Sequence, residues 1–160
     1  MNVRTATRDD APLILAFICE LAAYEKLAEE VVATEETLAA TLFGPRPYAF
    51  VLIAEVDGIA AGFALCFHNY STFLGRPGIF LEDLFVRPEA RAQGVGRALL
   101  ARIAAIAAER GCGRLEWAVL DWNESAIGFY RKLGAAPMDD WTVYRLTGDA
   151  LARLAGDGGA

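Results

Sequence analysis

Residues 87–100 read RPEARAQGVGRALL, and within them Arg91-Ala92-Gln93-Gly94-Val95-Gly96-Arg97 places two glycines between two arginines. Glycines at the head of a helical pattern let a ligand approach the backbone. Free N–H groups there, aligned with the helix dipole, favour an anion. Arg91 at the loop's head and Arg97 in the first helical turn add side-chain donors, which suits a diphosphate. Gly94-Val95-Gly96-Arg97-Ala98 also fits the opening of the dinucleotide pattern, but Arg87–Gln93 separate these glycines from the strand before them, whereas that motif's first glycine follows its strand almost directly. No Lys-Ser/Thr follows the glycines, which excludes a P-loop.

Two other stretches carry groups that could move protons. In FLEDLFV (80–86), Glu82 and Asp83 interrupt a strand otherwise fit for burial. A carboxylate there is costly unless it is paired, hydrated or used. Alternation along a strand is expected to send the two to opposite faces, so they should not share one site. In WNESAIGFYRKLG (122–134), Tyr130 lies on a helical pattern behind Asn123. Taken alone, a tyrosine at such a position is more often core than chemistry. His68 is the only histidine and closes a strand-like run, where a structural role is expected. Cys19, Cys66 and Cys112 are odd in number and widely spaced, offer no zinc-ligand pattern and read as reduced structural thiols, so no metal is expected.

These residues need a scaffold, and the order of elements supplies one. Asn2–Ala6 can form a first strand. Asp9 or Asp10 caps a helix predicted through Glu30, with Leu13, Phe17, Leu21 and Tyr24 at helical spacing. Thr34 starts a second helix that Gly44-Pro45 ends. Residues 48–56 and 59–68 flank Asp57-Gly58 as a β-hairpin. A loop (69–78), a strand (79–86), a helix closed by Gly111 and a strand (115–121) follow. Asn123 caps a helix that Gly134 stops, WTVYRL (141–146) reads as a last strand, and Gly148–Leu154 as a short helix or tail. The expected architecture is one mixed α/β domain over residues 1–155, with 156–160 as a flexible tail.

The 160 residues suffice for one sizeable core, and 55% of them are apolar. A net charge of −6 argues against nucleic acid and is mildly favourable to a cationic substrate. No apolar run is long enough to span a membrane, and the first residues lack a signal-peptide core, so a cytoplasmic protein is expected.

Arg91-x-x-Gly94-x-Gly96 shortly after a strand resembles the acyl-CoA pyrophosphate loop of the GNAT acetyltransferases. ELAAYEKLAEEV (20–31), FLEDLFVRPEARAQGVG (80–96) and WNESAIGFYRKLGA (122–135) resemble, in order and spacing, the diamine (spermidine/spermine and thialysine) acetyltransferases of that superfamily. The likeness runs from Thr5 to Leu146. It implies the GNAT fold, a central and mostly antiparallel mixed sheet flanked by helices, and a homodimer paired partly through the C-terminal strand. It also implies acetyl-CoA as acetyl donor and a small diamine, polyamine or lysine analogue as acceptor.

Acetyl transfer to an amine requires the amine, with an ordinary pKa near 10.4, to lose a proton, and the departing thiolate to be helped by an acid. The resemblance assigns the acid to Tyr130 and the base, or amine anchor, to Glu82, with a salt bridge as the plain alternative for Glu82. It matches Tyr24 and Glu25 to the amine-binding pair, although Glu25 in most proteins would be surface charge. It gives Leu84, Phe85 and Val86 to the pantetheine, Arg91, Ala92, Gln93, Gly94, Val95, Gly96 and Arg97 to the diphosphate, and Asn123, Glu124, Ser125 and Ala126 to the donor beyond it. One departure stands out. Where the spermidine/spermine enzymes can carry an acidic residue and a tryptophan, this chain has Tyr70-Ser71-Thr72-Phe73, which favours a shorter amine. Two alternatives stay open: acetylation of a protein N-terminus or lysine, and a CoA-binding module without catalysis, against which Tyr130 and Glu82 together argue.

Overall fold

Strand β1 (Asn2–Thr5) is tied to its surroundings by one arginine. Arg4 gives two hydrogen bonds of 2.8 Å to Asp10 and one of 2.7 Å to Glu55. The guanidinium holds the Asp10 carboxyl down at about 2. This computed structural model describes residues 1–157, which fall into two units, one of Met1–Ala118 and one from Val119 onward.

In the first unit, β1, β2 (Phe50–Val56), β3 (Ile59–Ser71), β4 (Arg76–Val86) and β5 (Leu115–Trp117) form one sheet in that order. The first four strands are antiparallel and β5 runs parallel to β4, the mixed sheet expected. Asp57 and Gly58 have φ of 52° and 79°, the two positive values a two-residue hairpin turn needs. Helices α1 (Ala11–Tyr24) and α2 (Glu35–Phe43) pack on one sheet face, where Phe17 stacks on Phe63 at 5.2 Å and meets Phe85 edge-on at 6.3 Å. Helix α3 (Val95–Glu109) packs on β2, β3 and β4 and buries Leu99 and Ile103 completely.

Helix α1 stops at Tyr24, well short of the predicted Glu30. Lys26 adopts φ of 63°, its N–H reaches the Ala23 carbonyl (3.2 Å), and Leu27 N–H reaches that of Ala22 (2.8 Å). This is the Schellman ending that glycine normally makes, here made by a lysine, so no residue type signals it. The predicted 69–78 loop is mostly ladder: Asn69↔Gly78 and Ser71↔Arg76 are paired, and only 72–75 turn. The strand over 115–121 shortens to Leu115–Trp117.

The β3–β4 register slips once, and the slip bears on function. Leu65 pairs with Asp83 and Cys66 with Leu81, which leaves Glu82 as the extra residue of a β-bulge. Leu81 shares the face of Cys66, while Asp83 shares that of Leu65 and Phe63. Glu82 and Asp83 therefore turn to the same face, and the expectation from simple alternation fails at this point.

The second unit contains α4 (Glu124–Lys132) and α5 (Gly148–Asp157). The predicted strand 141–146 does not form. Among the described residues it has no ladder partner, and Val143 and Tyr144 are 88% and 93% exposed. Helix α5 takes in Gly156 and Asp157 of the expected tail, and 158–160 lie outside the described residues. Among the described residues no helix is long and apolar enough to cross a membrane.

Candidate active site

The glycine loop opens α3 without any side-chain cap. Gly94 is the N-cap with φ of 81°, and Ala92 two residues earlier has φ of 63°. Left-handed residues in such a loop turn successive N–H groups the same way, and the first-turn N–H groups of a helix have no partner within it. Val95 is buried and anchors the helix, while Arg97 is exposed at its head. Any side chain at position 94 would be strained by that φ.

The three arginines of the opening stretch have separate tasks. Arg87 fixes the loop's entry. It grips Glu20 of α1 through Nε and Nη2 at 3.0 and 2.7 Å, donates to the Ala60 carbonyl at 3.0 Å and lies over the Phe17 ring. Burial and a bidentate partner make this a stronger tie than a surface pair. Arg91 donates its Nε to the Val86 carbonyl (3.0 Å) and sits 4.8 Å above the Tyr24 ring. Its terminal nitrogens have no partner among the described residues. Glu20, Ala23, Tyr24, Phe85, Pro88 and Arg91 line a cleft of about 380 Å³.

Strand β4 offers an edge next to this loop. Pairing with β5 covers only Ile79–Leu81, so from Glu82 onward β4 is paired with β3 alone. Arg87 N–H bonds the Ala61 carbonyl of β3. By alternation the polar groups of Leu84 and Val86 point the other way, and the Arg91 bond to Val86 agrees.

The bulge and the end of α1 gather three carboxylates. Burial, then the charges of Glu82 and Glu25, push the Asp83 carboxyl up to about 6. Burial also raises Glu25. None of the three has a salt-bridge partner among the described residues. The structure thus brings the predicted Glu82, Glu25 and Tyr24 to one end of α1. It adds Asp83, which sequence reasoning had sent to the other face. The adjacent acids Glu82-Asp83 in an apolar strand were the available signal; the bulge that unites them leaves no mark in residue type.

In the second unit, Asn123 caps α4 by accepting from Ala126 N–H at 3.2 Å, with Glu124 and Ser125 in the first turn. Tyr130 is half-buried, 5.5 Å from the Phe129 ring. Its carbonyl receives Ala135 N–H at 3.2 Å in a second Schellman ending, with Gly134 at φ of 85°. The residues of this unit are thus on a capped, well-terminated helix. Elsewhere, His68 lies 3.0 Å from the Gly78 carbonyl and 2.9 Å from Arg110, a structural setting. All three cysteines are free, and no group of three or more His, Cys, Asp or Glu among the described residues could hold a metal.

Comparison with known proteins gives the chain a family. The Acetyltransferase (GNAT) family matches residues 15–135. Over 165 aligned positions covering 96% of each chain, the protein is 39% identical to thialysine N-epsilon-acetyltransferase of Bos taurus. It is 35% identical to the L-ornithine N5-acetyltransferase of Arabidopsis thaliana, over 96% of this chain and 87% of that one. A solved integron cassette protein from the mobile metagenome of V. cholerae shares its fold at a TM-score of 0.80, with 26% identity over 96% of both chains. By these matches the chain belongs to the GNAT acetyltransferase family and is an acetyl-transferring enzyme.

Proposed function

We propose that the protein acetylates the primary amine of a small diamine, polyamine or lysine analogue. Enzymes of its family use acetyl-CoA, which supplies the activated acetyl thioester. The observation that carries the acceptor reading is the buried Asp83 carboxyl, raised further by the charges of Glu82 and Glu25, with none of the three paired to a cation among the described residues. Such a group is costly in the free protein and is relieved by an ammonium ion.

The chain's own residues divide the work. Gly94, Val95, Gly96 and Arg97, with Ala92 and Gln93 before them, offer N–H groups and a guanidinium suited to a diphosphate; Arg91 adds its terminal nitrogens. The outward edge of Leu84, Phe85 and Val86 offers hydrogen bonds to an amide-bearing arm, and Asn123, Glu124, Ser125 and Ala126 contact the donor beyond it. Glu82 draws the proton from the ammonium, directly or through water, or anchors it. Tyr24 and Glu25 hold the amine, and Tyr130 gives a proton to the leaving group. The hairpin end, with Phe73 98% exposed and no carboxylate in Tyr70–Phe73, supports a short acceptor over a long polycation.

The same reading makes the protein a cytoplasmic homodimer. Support comes from the free thiols, Cys19 exposed among them, which suit a reducing compartment, and from the exposed Trp141, Val143 and Tyr144, whose extended segment could pair with a second copy. Release of free thiol from acetyl-CoA, measured against a panel of diamines, diamino acids and a lysine peptide, tests the acceptor class. Turnover with small amines is expected, and turnover with the peptide alone would contradict the proposal.

A further inference from the structure

We infer that Arg91 couples the donor site to the acceptor site. Its guanidinium lies over the Tyr24 ring, and a diphosphate on the glycine loop raises the affinity for the amine by drawing off or neutralising that cation. The inference rests on the proposed function, which puts Tyr24 and Glu25 at the amine and the glycine loop at the donor, and adds the physical link between them.

Two arginines cross from the loop to helix α1 as parallel rungs. Arg87 and Arg91 are four residues apart. Glu20 and Tyr24 are also four apart, which puts them one helical turn from each other on one face of α1. Arg87 reaches Glu20, and Arg91 reaches Tyr24. Between the arginines, Pro88–Ala90 form a single 3₁₀ turn, in which Ala90 N–H bonds the Arg87 carbonyl at 2.9 Å and Arg91 N–H that of Pro88 at 3.2 Å. Ala90 is buried and pins the turn, so the spacing of the rungs is set by backbone.

The rungs differ in how far their polar groups are satisfied. Arg87 uses every nitrogen of its guanidinium, Nε and Nη2 on Glu20 and Nη1 on the Ala60 carbonyl, with the Phe17 ring 4.7 Å from its centre. It is a fixed post. Arg91 is exposed and makes one directed bond, from Nε to the Val86 carbonyl at 3.0 Å. Otherwise it rests on rings, 4.8 Å from the centroid of Tyr24 and 6.0 Å from that of Phe85. Ring contacts at an exposed site are weaker than the charge-assisted bonds a diphosphate offers the same guanidinium.

Charge fixes the direction of the coupling. Arg91 covers with a cation the aromatic surface that an acceptor's ammonium would use. A second cation there meets both competition for the ring and repulsion. The negative charges of a diphosphate pull the guanidinium toward the loop or, where it stays, cancel its field, and the ammonium gains in either case. The donor thereby prepares the Tyr24 wall of the cleft. Arg97, in the first turn of α3, serves the same diphosphate without a ring contact among the described residues, and so separates donor binding from the coupling.

Calorimetry on the full chain measures this, with putrescine as the amine and CoA, which carries the diphosphate and has no acetyl group to transfer. Saturating CoA is expected to lower the dissociation constant of putrescine about tenfold, and saturating putrescine to lower that of CoA by the same factor, as linkage requires. Pantetheine, the donor arm without phosphate, should change it by less than about twofold. Arg91→Gln should bind putrescine more tightly than wild type does without CoA, and should lose the enhancement. Arg97→Gln should bind CoA more weakly yet keep the enhancement once saturated. A residue that only shaped the loop would leave putrescine binding without CoA unmoved. An Arg91→Gln protein that keeps the enhancement overturns the inference, as does pantetheine that matches CoA. If small amines turn over but their affinity ignores CoA, the inference fails while the proposed function stands; if no small amine is bound or acetylated, both fail.

Discussion

Asp83 should be a residue the protein keeps at the expense of its own stability. Its carboxyl is raised from 3.8 to about 6, by burial first and then by Glu82 and Glu25, and no cation among the described residues offsets this. At 1.36 kcal/mol per pH unit, the rise corresponds to roughly 3 kcal/mol of cost once the group is ionised. The sign follows from proton binding. Between about pH 4 and pH 6 the folded protein holds a proton that the unfolded chain has lost, so this group's contribution to stability falls as pH rises and its cost is complete above about pH 7. Asp83→Asn keeps the shape and removes the charge. The variant should therefore be more stable than wild type by about 2–3 kcal/mol at pH 8, with the gain vanishing near pH 4, and should bind amines less well. Urea unfolding at both pH values measures this, and saturating diamine should stabilise wild type more than the variant. An Asp83→Asn protein no more stable than wild type at pH 8 would refute the reasoning, because burial and the neighbouring carboxylates would then impose no cost on the ionised group in the folded state.

Tyr130→Phe should lower turnover by about 10²–10⁴-fold with acetyl-CoA binding little changed, as steady-state kinetics and calorimetry would show; unchanged turnover makes the tyrosine packing only. CoA should raise the melting temperature and NAD should not. Gly94→Ala places a Cβ at φ of 81°, so it should cost about 1 kcal/mol and weaken the CoA-induced shift; an undiminished shift removes this loop from the donor site. Light scattering should give the mass of a dimer, and a monomer mass independent of concentration would refute the homodimer.

Where residue type controls backbone shape, the fold was legible. Asp57-Gly58 read correctly as a two-residue turn, Thr34 and Asn123 as helix caps, and Gly111 and Gly134 as helix ends. Where shape depends on the rest of the sheet, it was not. Lys26 ends α1 in a conformation its type does not advertise, and the bulge at Glu82 exists only because β3 and β4 pair out of step on either side of it. WTVYRL has the composition of a strand, but strands need partners, and composition does not supply one. Of the proposed site, Glu82 and the Arg91–Arg97 loop drew notice by residue type, and Tyr24 and Glu25 by family resemblance alone. Asp83 was misplaced because alternation was taken to hold through the bulge. The division of Arg87, Arg91 and Arg97 into tie, cleft wall and free donor depends on contacts to Glu20, Tyr24 and Val86 that are distant in sequence.

The most direct test of the account is mass spectrometry of a small primary amine incubated with the enzyme and acetyl-CoA, with Glu82→Gln alongside. The wild type should yield the mono-N-acetylated amine together with free CoA. Glu82→Gln should show a higher KM, lower turnover and activity moved to higher pH, where free amine exists without help. CoA release without any acetylated amine, or a Glu82→Gln enzyme indistinguishable from wild type across pH, would contradict the assignment of the carboxylate site to the acceptor amine.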